Sequence, residues 1–241
     1  FHSLHSPYYE THYQPESLLL RSIVYLYICQ YDEMEKTLDM FERIYFPTKD
    51  KLISYTNSVK SNQAFKDFEQ FYVQYEAGKD EDEIESVLPL VVYRHLTQQG
   101  DLKRSFSYIN TLRNELARIQ RLSKTWQDSS IGKYSRRLVQ TRLKNAMSTA
   151  GQQVLLHMRR MRKELAELSE QHGFARYEMI NGKKQALKLK IAGKGIKKKT
   201  VVEDKDREFF VQNGYEFWPF QGEYWLDEIG NYYYLGKPSC E

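Results

Sequence analysis

The sequence has few residues that interrupt helices and no stretch apolar enough to cross a membrane. Glycine and proline account for 12 and 6 of the 241 residues, and charged residues make up 28%. No apolar run approaches the ~20 residues that a membrane-spanning helix needs. This composition favours a helical soluble protein, with enough residues for one large or two modest domains.

Cysteine is scarce, and the usual catalytic patterns are absent from the sequence. Cys29 and Cys240 are the two cysteines, and they belong to no C-x-x-C pair or Cys/His cluster. Two cysteines fit either one disulfide in an oxidising compartment or two inert thiols in the cytosol. Neither G-x-S-x-G nor H-E-x-x-H occurs, so we predict no catalytic, cofactor or metal site. Because the chain begins at Phe1 rather than Met, we interpret it as a fragment or a processed chain.

Charge is distributed unevenly along a chain whose net charge is only +4. Residues 129–163 contain nine Lys or Arg and no acidic residue, and residues 181–200 contain eight Lys and no acidic residue. Acidic residues instead cluster at 80–85, just before an apolar run. Carboxylates suit the positive end of a helix dipole, so this cluster predicts a helix start.

The first part of the chain has the periodicity of paired helices. Apolar and small residues recur at steps of three and four from Pro15 to Tyr45, with a break near Tyr31 and a predicted end at Pro47. The large–small–aromatic order on the first helix is typical of a tetratricopeptide repeat, here with Ser22 and Tyr25 as the small and aromatic residues. Met34 and Phe41 replace the usual alanines, so this repeat is degenerate.

Two more helical stretches complete a predicted repeat domain at 1–122. A second helical pair extends from Ile84 to Leu122, with its turn at Gly100-Asp101, and a further helix covers 62–76. Repeat units of this kind bury their apolar faces against neighbours, and about three are usually needed for stability.

A long helix is predicted from Tyr134 to His172 within a second region, 123–200. Its apolar residues form a narrow seam, which fits a coiled coil or an ordinary long core helix equally well. Residues 175–191 fit either a hairpin turning at Asn181-Gly182 or a continuation of the helix, and we favour the helix. The tentative partner-binding residues of this helix are basic: Arg136, Arg137, Arg159 and Arg160.

The basic face has a simple alternative, since charged residues also serve merely to solvate a helix. If the face binds a partner, an acidic protein or an anionic lipid surface fits it, because charge speeds encounter and sets register. Nucleic acid is not expected, because stacking aromatic residues are not interleaved with the basic ones.

The C-terminal region, 201–241, is rich in aromatic residues: 11 of the 26 positions at 209–234. So many aromatic side chains near a terminus predict a small module that docks on the repeats, because their exposure would promote aggregation. Gly230 lies between two β-prone runs, which predicts an antiparallel hairpin near Tyr224 to Leu235. A recognition surface is the alternative, with Trp218 and Trp225 as tentative partner-binding residues.

The ending, the degenerate repeats and the long basic helix together resemble a family of tetratricopeptide-repeat proteins from deltaproteobacterial cell envelopes. Members include periplasmic components of the adventurous gliding-motility machinery. The ending is similar to that family's W-x-F-x-G-E-Y-W-x-D-E-x-G-x-Y followed by Cys, and the segment at 7–31 is similar to its other cysteine-containing segment. The matching residues of the ending are Trp218, Phe220, Gly222, Glu223, Tyr224, Trp225, Asp227, Glu228, Gly230, Tyr232 and Cys240.

The resemblance covers most of the chain, thinly through the middle, and has no counterpart for 181–200. It implies a non-enzymatic periplasmic scaffold that holds protein partners in an envelope complex, with gliding motility as one role. It also places Cys29 and Cys240 in an oxidising compartment, which implies a disulfide between them. The alternative is a carbohydrate or cell-wall binding module, since exposed Trp and Tyr rings stack on sugars.

Overall fold

The computed structural model describes residues 12–79, 84 and 86–191, and these residues are mainly helical. Seven α-helices and no strand occur among them. The helices are α1 (Pro15–Tyr27), α2 (Tyr31–Ser58), α3 (Ser61–Glu76), α4 (Leu90–Thr97), α5 (Gly100–Arg121), α6 (Lys124–Asp128) and α7 (Ser130–Ile191). The helical class that the sequence predicts is confirmed. The predicted C-terminal hairpin at 224–235 lies outside the described residues.

The prediction that Pro47 ends the second helix is wrong, because Pro47 lies inside the 28-residue α2. Proline has no N–H, so the carbonyl of Arg43 loses its helical donor. Both Arg43 and Pro47 are exposed, so water can hydrate that carbonyl. Beyond the proline, Leu52 and Tyr55 are buried, and their burial stabilises the continuation of the helix.

Helix α7 extends further in both directions than predicted, from Ser130 to Ile191 over 62 residues. The continued helix that we favoured for 175–191 is confirmed, and Asn181-Gly182 forms no turn. Six of the eight residues of the predicted seam are buried: Ala150, Val154, Met158, Met161, Leu165 and Leu168. The first two, Leu143 and Ala146, are half-buried.

The described residues form two compact units, and α2 and α7 contribute to both. The first unit contains residues 14–44 and 168–191. Its core is made by one face of α1, the first half of α2 and the last part of α7. The buried apolar residues of this unit are Leu18, Leu19, Met34, Leu38, Phe41, Leu168 and Met179.

Polar contacts in the first unit fix the end of α7 against α2. The guanidinium of Arg176 pairs with Asp39 and, at 3.0 Å, with Glu42. The ammonium of Lys183 lies 2.6 Å from Glu35 and 3.3 Å from Asp32. These four acidic residues therefore neutralise two of the basic residues in the C-terminal part of α7.

A buried histidine completes this interface. His172 Nε2 donates a hydrogen bond of 3.1 Å to the Leu38 carbonyl, and its ring stacks on Phe41 at 5.3 Å between centroids. Burial lowers the pKa of His172 below its usual value, and the nearby Arg176 lowers it further, against the opposing effects of the Leu38 carbonyl and nearby carboxylates.

We expect acidification to destabilise the protein through this histidine. In the unfolded chain His172 takes up a proton near its ordinary pKa of ~6.5, whereas the folded protein resists protonation. The contribution of neutral His172 to the free energy of unfolding is therefore fully present above that pH. It falls as the pH drops towards the lower pKa of the folded state. The His172→Gln variant should lose less stability between pH 7 and pH 5.5 than the wild type, measured by urea unfolding. Equal losses in the two proteins would contradict this assignment.

The second unit contains residues 12–13, 45–79, 84 and 86–167. Its core is an aromatic cluster contributed by α3, α4 and α5. Phe68 lies at its centre, with ring centroids 5.3 Å from Phe106, 5.9 Å from Tyr72 and 6.1 Å from Tyr93. Phe71 stacks on Tyr93 at 5.0 Å, so the rings form one continuous group.

Within this unit, the backbones of α3 and α7 approach closely at Gly151. A Cβ atom placed there would overlap the Ser61 carbonyl oxygen, lie 2.8 Å from its carbon and lie 3.2 Å from Phe65 Cβ. Glycine is therefore required at this position by packing, and the approach fixes how α7 is rotated within the unit.

Candidate partner-binding surface

The four predicted partner-binding arginines of α7 have different surroundings. Arg136 is half-buried, and its Nη2 donates a 2.6 Å hydrogen bond to Gln127 Oε1. Arg137, Arg159 and Arg160 are exposed, and in the described part of the chain none of them has an ion pair or hydrogen-bond partner. These three side chains can therefore meet a partner without first breaking an internal contact, whereas Arg136 cannot.

Two other basic residues of α7 form hydrogen bonds or an ion pair within the second unit. Arg162 Nη1 donates to Thr56 Oγ1 at 3.1 Å and to Asn57 Oδ1 at 3.0 Å. Lys163 lies 3.6 Å from Glu167 in an exposed pair, which contributes little to stability. The role of Arg162 is therefore to join α7 to α2, and periodicity in the sequence does not reveal it.

An open pocket of about 290 Å³ lies between α5 and α7. Its lining combines one basic residue with several polar side chains and the exposed ring of Tyr108. The lining residues are Ser105, Tyr108, Arg142, Asn145, Ala146 and Thr149. Sequence analysis missed this pocket, because only the packing of two distant helices brings residues 105–108 and 142–149 together.

A polar cluster lies elsewhere in the second unit, where α4, α5 and α7 meet. Both carboxylate oxygens of Asp101 lie within hydrogen-bond distance of His157 Nε2, at 2.9 and 3.1 Å. Gln99 Nε2 lies 3.1 Å from His95 Nε2, so the amide donates to the ring. Tyr13 packs its ring 4.9 Å from that of His95.

Electrostatics in this cluster favour a neutral His95 and an ionised Asp101. Burial, and then the nearby His157, lower the pKa of His95. Partial burial works against the charged form of Asp101, yet the hydrogen bond and charge of His157 outweigh it and leave the pKa of Asp101 lowered. In the described residues no hydroxyl or thiol is hydrogen-bonded to His157.

Of the remaining predicted site residues, only Cys29 lies among the described residues. Cys29 is the second residue after α1, is half-buried and has a positive φ of 58°. Its predicted partner Cys240 lies outside the described residues, as do Trp218 and Trp225. The disulfide and the two tryptophan assignments therefore stay predictions.

In the described residues, no group of three or more His, Cys, Asp or Glu side chains is placed to hold a metal ion. Among the same residues, no helix combines the length and the apolar character that crossing a bilayer requires.

Comparisons with protein-family models, with curated proteins and with solved structures find no match to this chain.

Proposed function

We propose that this chain is a non-enzymatic helical scaffold of the bacterial periplasm, which binds a protein partner through the exposed basic face of α7. This basic face consists of Arg137, Arg159 and Arg160, which together span ~140° of the helix circumference. The resemblance of the sequence to envelope tetratricopeptide-repeat proteins supports the compartment and a role in an envelope complex, with gliding motility as one such role.

The observation that carries this proposal is the exposed, unpaired state of those three arginines. Two basic residues nearer the end of α7, Arg176 and Lys183, are neutralised by acidic residues of α2. The basic face has no such neutralisation among the described residues. Unpaired guanidinium groups on a rigid helix attract an acidic surface and form bidentate contacts with its carboxylates.

The helix pairs support a repeat scaffold. We propose that α1–α2 and α4–α5 are degenerate tetratricopeptide units. The second pair is joined by only Gln98 and Gln99, whereas Gly100 and Asp101, the predicted turn, form the start of α5. Short connections of this kind join antiparallel neighbours, and stacked pairs present long surfaces to protein partners.

Reversing charge on the basic face should abolish partner binding while leaving the fold intact. The variant carries Arg137→Glu, Arg159→Glu and Arg160→Glu, and the full-length protein is used to capture partners from native envelope extract. A matched control carries the same change in charge at three exposed lysines away from this face: Lys51, Lys66 and Lys103. We expect the captured partner to be lost with the basic-face variant and kept with the control.

Salt dependence provides a second measurement on the purified complex. Binding should weaken at high ionic strength, since the Debye length falls to ~3 Å at 1 M salt. Equal capture by the basic-face variant and the wild type would show that these arginines only solvate the helix. If the wild type binds anionic vesicles and captures no protein, the partner of this face is an anionic membrane surface rather than a protein.

A further inference from the structure

Helices α5 and α7 pack antiparallel in the second unit, and their register locates the pocket. Asp101 contacts His157, and Ser105 Oγ donates a 2.7 Å hydrogen bond to Gln153. As the residue number rises on α5 it falls on α7. Tyr108, one turn further on, therefore lies beside the segment 142–149.

The pocket presents one permanently charged donor to solvent, together with neutral groups that can donate as well as accept. Arg142 carries a permanent positive charge, and Asn145 and Thr149 add an amide and a hydroxyl from the next turns of α7. The three side chains are exposed, and in the described part of the chain they have no hydrogen-bond partner. A carboxylate is the matching ligand group, because it only accepts hydrogen bonds and carries the opposite charge.

Arg160 lies on the same side of α7 as Arg142. The two residues are 18 positions apart, which is five whole turns at 3.6 residues per turn, or ~27 Å along the axis. Exposed residues at helical spacing connect them, including Asn145, Thr149 and Leu156. These five residues form a stripe with a guanidinium at each end and an exposed leucine, 46% accessible, in between.

We propose that this stripe binds an extended acidic segment of the partner protein, with one carboxylate in the Arg142 pocket and a second on Arg160. The inference rests on the proposed function and identifies the chemistry of the partner. An extended chain rises ~3.3 Å per residue, so carboxylates about eight residues apart match the two arginines. An apolar side chain between them covers Leu156.

The test uses the full chain and a synthetic peptide. The probe is a fluorescein-labelled ten-residue peptide with two glutamates at each end and Leu and Ser between them. Its binding is followed by fluorescence anisotropy at low salt. A second peptide has the same composition with its four glutamates together, and a third has glutamine in place of glutamate.

Each stripe arginine should matter, and an exposed arginine off the stripe should not. We expect Arg142→Gln and Arg160→Gln each to weaken binding of the first peptide about tenfold, as for the loss of one charge-assisted contact. The matched control is Arg121→Gln at the end of α5, 13 residues and ~20 Å along the helix from Tyr108, which should change binding less than about twofold. The second peptide should bind several-fold more weakly than the first, and the glutamine peptide weakest of all.

Several results would overturn the inference without affecting the proposed function. These are equal binding of the clustered and the separated glutamates, equal effects of Arg121→Gln and Arg142→Gln, or no binding of the acidic peptides. A double variant, Arg137→Glu and Arg159→Glu, leaves the stripe intact, so capture with it tests the proposed function independently. If captured partner is kept by Arg142→Gln but lost by this double variant, the partner binds the basic face and not the stripe.

Discussion

Replacing Gly151 with alanine should lower the free energy of unfolding by about 3 kcal/mol, because the added methyl group has no space. The Cβ would overlap the backbone carbonyl of Ser61, and Phe65 closes the other side. A side chain could rotate away, but a helix backbone can yield only by moving α3 away from α7. Such a movement would also loosen Phe65, which is 1% exposed.

A matched substitution in the same helix should have the opposite sign. A Cβ at Gly173 would meet nothing within 4 Å, so Gly173→Ala removes a flexible residue from a helix without creating a clash. We expect this variant to be about 0.5–1 kcal/mol more stable than the wild type. Urea unfolding followed by circular dichroism measures both variants. If Gly151→Ala is as stable as Gly173→Ala, α3 and α7 do not pack as described.

Truncating Phe68 to alanine should destabilise the second unit by about 4 kcal/mol, the usual cost of removing a buried aromatic ring. Phe68 is fully buried and contacts the rings of Tyr72, Tyr93 and Phe106. Its removal would leave a cavity among rings from α3, α4 and α5, which can collapse only by shifting those helices.

The control for this truncation is Tyr108→Ala on α5. Its ring is 48% exposed, so its removal should lower the free energy of unfolding by less than about 1 kcal/mol. Phe68→Leu, which keeps most of the apolar volume, should fall between the two. A loss from Phe68→Ala no larger than that from Tyr108→Ala would show that the aromatic cluster does not form the core.

Local periodicity was enough to predict most of the helices, although not their ends and not the short α6. The apolar spacing of Met34, Leu38 and Phe41 predicted one buried face of α2, and all three are buried. The seam of α7 was equally visible, because every third or fourth residue must be apolar when a long helix packs along a core. These features depend only on neighbours along the chain.

Features that depend on tertiary contacts were predicted poorly. Pro47 looked like a helix end because local rules disfavour proline inside a helix, yet burial of Leu52 and Tyr55 carries α2 onward. Arg136 looked the same as Arg137 in the sequence. The two differ because Gln127, from the preceding α6, lies within reach of Arg136 alone.

The candidate site was predictable only in its charge. The absence of acidic residues from 129–163 indicated a basic face of α7. This charge pattern does not indicate which α5 residues lie beside α7. The register of α5 on α7 is set by tertiary contacts, such as the one between Asp101 and His157. The pocket beside Tyr108 depends on that register, and the register cannot be predicted from a single sequence.

The five-turn separation of Arg142 and Arg160 has a consequence for how this surface can evolve. One residue inserted between them would rotate Arg160 by ~100° and remove it from the stripe, even though the composition would hardly change. The same insertion would shift the buried seam out of phase, so selection for folding also preserves the spacing. In a comparison of homologues, the informative quantity is therefore the angular position of each arginine around α7, not the number of basic residues. A relative that keeps the eighteen-residue interval keeps the geometry, even where the residues between have diverged.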